Sequence, residues 1–380
     1  MILDSQRDLF EVPDDVSYLN CAYMGPQPTE VREIGERAVS RKSRPWELTP
    51  DDFFGEAEEA RALFARLVGG DADGVAIVPS VSYGMAVATA NVPVKAGESV
   101  VILEDQFPSN VYPWRELARR EGAELVVVPR PADHDWTGAV LDRIEDRTAA
   151  VAVPNCHWTD GSLLDLEEIG RRAREAGAAL VVDGIQSLGA HPFDVGSVRP
   201  DFLVASSYKW LLGPYGLGFM YVGERYRKGT PVEHNWINRR GSEDFSRLVD
   251  YQDAFQPGAR RYDVGERSNF VLLPMAAAAL RLIFRWGVPN VSETIGALTD
   301  LVEKRAEDSG IEAVPKERRA RHMIGLKLGP DAPGDLASRL AAEGVFVSVR
   351  GKSVRVSPHL YNTPEDVERL FAGLQRALGR

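Results

Sequence analysis

Seven short apolar runs punctuate the chain between Val75 and Val222: Val75–Val78, Val100–Leu103, Leu125–Val128, Ala149–Val153, Leu180–Val182, Phe202–Ala205 and Phe219–Val222. None alternates apolar with polar residues, so none reads as a strand with one wet face. Continuous apolar runs of this length are what strands buried on both faces look like. Several are separated by amphipathic helical stretches such as Tyr112–Glu121 and Leu166–Ala176, the latter closing on Gly177. Strand–helix alternation of this kind predicts an α/β fold with a mostly parallel central sheet covered on both faces.

The flanks read differently. The segment YLNCAYMGPQP (Tyr18–Pro28) is broken by Gly and Pro, and two helical stretches follow it. The second, after Asp51–Asp52, places Phe53, Phe54, Ala57, Leu63, Phe64 and Leu67 on a broad apolar face and ends at Gly69–Gly70. Past about Arg260 come long helices near Pro274–Arg285 and Val291–Asp308, then a strand, a helix, two short strands and a last helix from Thr363. With 380 residues the chain exceeds one average domain. The expected organisation is an arm over 1–28, a large α/β domain over 29–259 and a smaller α+β domain over 260–380.

Composition narrows the function classes. The net charge of −11, with acids and bases mixed along the chain, argues against a nucleic-acid footprint, which needs clustered Lys and Arg. The short basic cluster at Lys316–Arg321 suits a solvated helix end or loop. No segment approaches the roughly 20 apolar residues that span a bilayer, and MILDSQRDLF lacks the basic-then-apolar pattern of a secretory signal. Two cysteines, Cys21 and Cys156, make neither a disulfide framework nor a Cys-rich zinc site. A cytoplasmic protein with no metal, nucleic-acid or membrane partner is expected.

Two segments carry chemistry. In LVVDGIQSLGAHPFDV, Asp183 ends an apolar strand before Gly184, at the carboxyl edge of the sheet, where α/β folds bind ligands. A carboxylate there is costly unless paired; it suits a turn or helix cap, or a cationic ligand such as a pyridinium. In FLVASSYKWLLGPYGLGFMYV, Lys209 follows another apolar strand, amid Ser206, Ser207 and Tyr208 and before the turn Gly213–Gly216. A lysine in an apolar setting sheds its proton more readily than a free one, while neighbouring hydroxyls can hold a phosphate.

Taken together, Asp-Gly-x-Gln at a strand end, Ser-x-Tyr-Lys, and Gly-Pro-x-Gly-x-Gly resemble the core of the class V aminotransferase group of fold-type I pyridoxal 5′-phosphate (PLP) enzymes. That group holds cysteine desulfurases, kynureninases, isopenicillin-N-epimerase-like proteins and several transaminases. The resemblance implies a large PLP-binding domain with a smaller C-terminal one, and a homodimer. It implies Lys209 as the Schiff-base lysine, Asp183 on the pyridine nitrogen, Gln186 on the phenolic oxygen, and Ser206 and Tyr208 on the phosphate. Other segments fit it as well. VPSVSYGMAVATAN would bind phosphate through Ser82 and backbone near Val81 and Tyr83 at a helix N-terminus, although Ser82 equally suits an N-cap. Phe107 in EDQFPSNVYPW would stack on the ring, or is a core aromatic. Asn155 would meet the ring oxygen, and His157 and Trp158 would line the substrate side, with a structural histidine the alternative for His157. Arg355 in SVRVSPHLYNTPEDVERL would clamp the substrate carboxylate in a bidentate pair, where the alternative is a salt bridge. Asn20 and Tyr23 would close over the substrate. One departure stands out: where relatives carry Gly-Thr reaching the partner subunit's phosphate, this chain has Gly265-Glu266, with Ser268 or backbone N–H groups as substitutes.

The implied activity is chemistry at the α-carbon of an amino acid. Desulfurases carry a nucleophilic cysteine shortly before the carboxylate-binding arginine, and SVRGKSVRVS has none, which weighs against a persulfide mechanism. Transamination needs only Lys209 to move a proton and is the preferred expectation. A Cβ lyase of C–S or C–C type, kynureninase-like in having Tyr208 beside the lysine, and an epimerase are the alternatives. A nicotinamide enzyme would need Gly-x-Gly-x-x-Gly after the first strand, and VPSVSYGMA does not supply it.

Overall fold

The computed structural model describes residues 1–329 and 332–379. From the N-terminus, β1 (Ser17–Tyr18) is followed by α1 (Thr29–Val39) and α2 (Gly55–Leu67). The central sheet then builds up from β2 (Val75–Val78), β3 (Ser99–Leu103), β4 (Glu124–Val128), β5 (Thr148–Pro154), β6 (Ala179–Asp183), β7 (Phe202–Ser206) and β8 (Gly218–Val222). Between them lie α3 (Val81–Asn91), α4 (Tyr112–Glu121), α5 (Trp136–Leu141), α6 (Leu166–Glu175) and α7 (Val195–Val198). All seven apolar runs are strands of one sheet, ordered β2-β8-β7-β6-β5-β3-β4. The pairs from β7 through β4 are parallel, and β8 runs antiparallel to both β7 and β2.

The continuous apolar character of the strands follows from two cores, one on each face. Val75, Ile77, Val101, Leu103, Val151, Val153, Leu180 and Val182 pack on one side, with Phe64 of α2 and Ile169 of α6. Ala76, Val78, Val100, Ile102, Ala150, Ala152, Val181 and Val204 pack on the other, with Met85 of α3 and Trp114 of α4. Successive side chains thus alternate between two dry layers, each full burial of a Val, Leu or Ile contributing roughly 1.5–3 kcal/mol. Gly84 lets α3 lie close on the sheet: a Cβ there would fall 2.5 Å from Val204 Cγ1. That approach sets the N-terminus of α3 beside the end of β7.

Beyond the sheet, α8 (Leu272–Trp286) lays Leu273, Ala276, Leu280 and Ile283 into the first core, beside α2. The chain continues through α9 (Val288–Asp308), β9 (Ile324–Lys327), α10 (Leu336–Ala342), β10 (Val345–Phe346), β11 (Ser348–Arg350), β12 (Ser353–Val356) and α11 (Pro364–Leu378). A small antiparallel sheet runs β11-β12-β9, while β10 pairs in parallel with β1 of the N-terminal arm. Leu19 of that arm sits in the core built by Val302, Leu340, Val354 and Leu370.

One helix start differs from the sequence expectation. A capping box of Thr49 and Asp52 closes a 3-10 turn over Pro50–Phe53, and α2 begins only at Gly55. Phe53 therefore leaves the helix face and joins an aromatic cluster with Trp236, Phe245 and Phe270.

Candidate active site

Asp183 is the last residue of β6 and Ser206 the last of β7, adjacent parallel strands in which Asp183 pairs with Val204. Lys209 comes three residues after β7, so the carboxylate and the amine converge at the carboxyl edge of the sheet. Both are buried, at 4% and 6% exposure. Asp183 Oδ1 accepts the Ile185 N–H at 3.0 Å. Burial pushes the Asp183 carboxyl up, against the pull of that bond and of Lys209. Burial also pulls the Lys209 amine down, helped by the charge of Arg355 and opposed by Asp183. Each group is thus held nearer neutrality than in water. Lys209 Nζ lies 5.7 Å from the centroid of the Phe107 ring and 5.6 Å from that of Tyr208. Phe107 in turn meets Trp158 edge-on at 5.4 Å.

At the start of α3 the N-cap is Ser80, whose side chain accepts the Tyr83 N–H at 3.2 Å. Ser82, one turn-position further on, is not the cap: its hydroxyl donates to Ser109 Oγ at 2.9 Å. Ser109 belongs to the 3-10 turn after Phe107, and sequence reasoning passed it over because its neighbours read as an aromatic lid. Val81 is buried and contributes backbone only. Of the two serines before Lys209, Ser207 is spent on the carbonyls of Pro214 and Leu217, leaving Ser206 at the strand end. Tyr208 packs on Tyr215 at 4.7 Å, and burial raises its phenol to about 12.

Three expectations change in detail. His157 is fully buried, Nδ1 against Thr159 Oγ1 at 2.8 Å and Nε2 against the Glu104 carbonyl at 3.2 Å, with its ring stacked on Trp136. Burial keeps it neutral. Both ring nitrogens are thus engaged within the protein, the arrangement of a structural histidine. Gln186 donates to the Ala22 carbonyl at 3.1 Å and accepts the Trp210 indole N–H at 3.1 Å. Its amide ties the N-terminal arm to the sheet, with one amide hydrogen remaining for a ring oxygen. Ser268 is likewise engaged, on the Phe53 carbonyl, and Gly265 N–H goes to Glu233, so neither offers the substitute contact. Glu266 is exposed, in the left-handed region at φ 58°. Asn155 follows β5, buried, its Oδ1 without a partner.

Arg355 on β12 is the most telling residue. It is 1% exposed, and among the described residues it donates from Nη1 to the Trp158 carbonyl at 2.7 Å, while Nε has no partner. Among the described residues it forms no ion pair. Burial, then the charge of Arg350, lowers it to about 9. The N-terminal arm covers this side: Asn20 Oδ1 accepts from Ser348 Oγ at 2.8 Å, and Gly25 N–H donates to the Tyr208 carbonyl at 2.9 Å. Tyr23 stays exposed beside Tyr208 in a cavity of about 640 Å³ between arm and domain.

A buried carboxylate for a pyridinium, a buried amine between two aromatic rings, hydroxyls at a helix N-terminus, an orphaned Asn155 oxygen and an unpaired buried guanidinium make a donor set that fits PLP and an amino-acid carboxylate. Fold and site together define an α/β enzyme of the fold-type I PLP class. The chain belongs to the class-V aminotransferase family, whose model matches residues 49–370, and its cofactor is PLP. It is 27% identical to an uncharacterized aminotransferase, YcbU, of Bacillus subtilis, over 82% of this chain and 81% of that one. It is 28% identical to a cysteine desulfurase of an Enterobacter species, over 81% and 76%. Among solved structures, a C-DES mutant with glycine covalently linked to its PLP cofactor superposes with TM-score 0.87, covering 97% of this chain and 98% of that one at 17% identity.

Proposed function

We propose that this chain is a PLP-dependent aminotransferase acting on an α-amino acid. The observation that carries the reading is Arg355: a guanidinium buried with no ion pair among the described residues, close enough to Lys209 to depress it, suits an α-carboxylate. When bound, PLP withdraws electrons from Cα and makes its hydrogen acidic. Arg355 holds the carboxylate and so fixes which Cα bond stands toward Lys209. Asp183 keeps a proton on the pyridine nitrogen. Lys209, shifted toward neutrality by burial, would accept the Cα proton at Nζ and pass it on. Phe107 and Trp158 keep water from the reacting carbon.

The relatives include cysteine desulfurases, and this reading departs from them on the thiols. Cys21 and Cys156 are both fully buried, and burial pushes both thiols far up, so neither supplies a thiolate. The turn between β11 and β12 is only Gly351-Lys352, since Arg350 pairs with Ser353; it leaves no loop for a nucleophile. A Cβ lyase is the second reading, favoured by Tyr208, a protonated phenol whose ring lies 5.6 Å from Lys209 Nζ and which can protonate a leaving group. We also propose a homodimer, supported by the exposed aromatics Tyr23, Phe107, Tyr112 and Tyr215 near the site.

The test is a single turnover of the PLP-loaded protein over a panel of amino acids, with absorbance and product mass read together. Conversion of the cofactor to its amine form with release of a keto acid is expected, unchanged within a few-fold in Cys21→Ser/Cys156→Ser. Persistent PLP with a released thiol or pyruvate selects the lyase.

A further inference from the structure

Arg355 is not the only cation without an anion here. On β11, Arg350 pairs with Ser353 while Arg355 pairs with Ser348, so the two arginines are diagonal neighbours on one face of the small sheet. Diagonal neighbours stand roughly 7–8 Å apart. Arg350 is half-buried, donates only to its neighbour Val349's carbonyl, and forms no ion pair among the described residues. Its guanidinium lies over the Trp158 ring at 5.8 Å, and Trp158 offers its carbonyl to Arg355 and its ring to Phe107. One aromatic side chain therefore separates Arg350 from the residues around Lys209.

Arg350 also lines a cavity of about 520 Å³ between the small sheet and the loops after β3, β4 and β5, which Arg355 and Lys209 do not line. The other charges there are mostly answered: Arg130 pairs with Asp160 and Asp105, and Lys327 with Glu312 at 2.8 Å. Besides Arg350, only Lys352 of the hairpin turn has no ion pair among the described residues lining it. Two like charges on one sheet face, both lacking anions, are mutually unfavourable until a ligand bridges them.

We propose that Arg350 is a specificity-determining residue that binds a second acidic group on the substrate, so that the preferred substrate is an amino acid with an acidic side chain: Arg355 takes the α-carboxylate and Arg350 the distal one. This rests on the aminotransferase reading for what happens next, and on the two arginines alone for what binds.

The test is calorimetric titration of the PLP-loaded protein with succinate and with propionate, dead-end acids that differ by one carboxylate. Succinate should bind on the order of 30-fold more tightly, the size of one charge-assisted pair. Arg350→Gln should erase that difference while leaving propionate binding as it was; Arg355→Ala should weaken both. Equal affinity of the two acids in the parent protein overturns the assignment. So does an Arg350→Gln variant that weakens both acids alike, or one that keeps the succinate preference. A variant that keeps the preference but shifts the monomer–dimer balance would instead give Arg350 an acid of a second copy. Keto-acid release is read separately: a protein that transaminates but ignores the second carboxylate loses this inference alone. One that shows the Arg350-dependent preference but releases no keto acid loses the aminotransferase reading alone.

Discussion

Replacing Arg355 by methionine should make the cofactor-free protein more stable and a worse binder of amino acids. At 1% exposure the guanidinium is depressed from 12.5 to about 9 by burial first and by Arg350 second. At about 1.36 kcal/mol per pH unit this is a native-state penalty of roughly 4–5 kcal/mol. Because the folded value is lowered, the charge persists in both folded and unfolded chain at neutral pH; the penalty is constant there and fades only as pH rises past about 9. Set against it is the bond to the Trp158 carbonyl, whose loss strands a buried acceptor at a cost of about 1–3 kcal/mol. A thioether of similar length refills the space, so a net gain of about 1–4 kcal/mol is expected, the range found when apolar residues replace buried ions. Urea unfolding of the cofactor-free protein near neutral pH measures it. Amino-acid binding by the PLP-loaded variant should fall by roughly 2–5 kcal/mol, with PLP retained. A variant less stable than its parent would show that the fold itself satisfies Arg355, and the argument for a carboxylate vacancy would collapse.

Asp183→Asn should fold, take up PLP and lose on the order of 10²-fold or more in turnover; near-parental rates would remove Asp183 from the pyridine nitrogen. His322 and His359 are fully buried, and burial holds each from 6.5 down to about 3. The unfolded chain therefore gains protons first as pH falls below about 6.5, and each histidine costs the native state about 1.4 kcal/mol per pH unit down to about 3. His359→Phe removes a ring whose two nitrogens have no partner and which stacks on Tyr361; it should take about 1.4 kcal/mol per pH unit off the slope of the acid limb below about pH 6.5, and an unchanged limb would contradict the assignment. Gly25→Ala would place a Cβ 2.3 Å from the Lys209 carbonyl oxygen. The arm must then lift, and weaker substrate binding with little change in unfolding midpoint is expected.

The sheet was legible because its strands, all but the edge strand β4, are buried on both faces, which leaves short continuous apolar runs bounded by turn residues. β1, and one of the three short strands between α10 and α11 where two were expected, carry no period and were not read. Asp183 and Lys209 were visible because their chemistry is tied to strand ends. His157, Gln186 and Ser268 were misjudged or half-judged for one reason: whether a polar side chain faces a ligand or a neighbour depends on partners distant in sequence, such as Glu104, Ala22 and Phe53. Nothing in the sequence singles out Arg350, and only its lack of an ion pair among the described residues, a property of the folded surface, sets it apart.

The N-terminal arm has a consequence for the order in which this protein is made. β1 is synthesised before the large sheet, yet its partner β10, and the residues around Leu19, follow that sheet in the chain. The large sheet can form cotranslationally, since its strands lie close in sequence. The segment carrying Asn20, Ala22 and Gly25 cannot settle over Lys209 until β10 has been made. Nascent chains should therefore present an open lysine and an uncovered Asp183 for most of their elongation, and the seal over the site should be the final folding event.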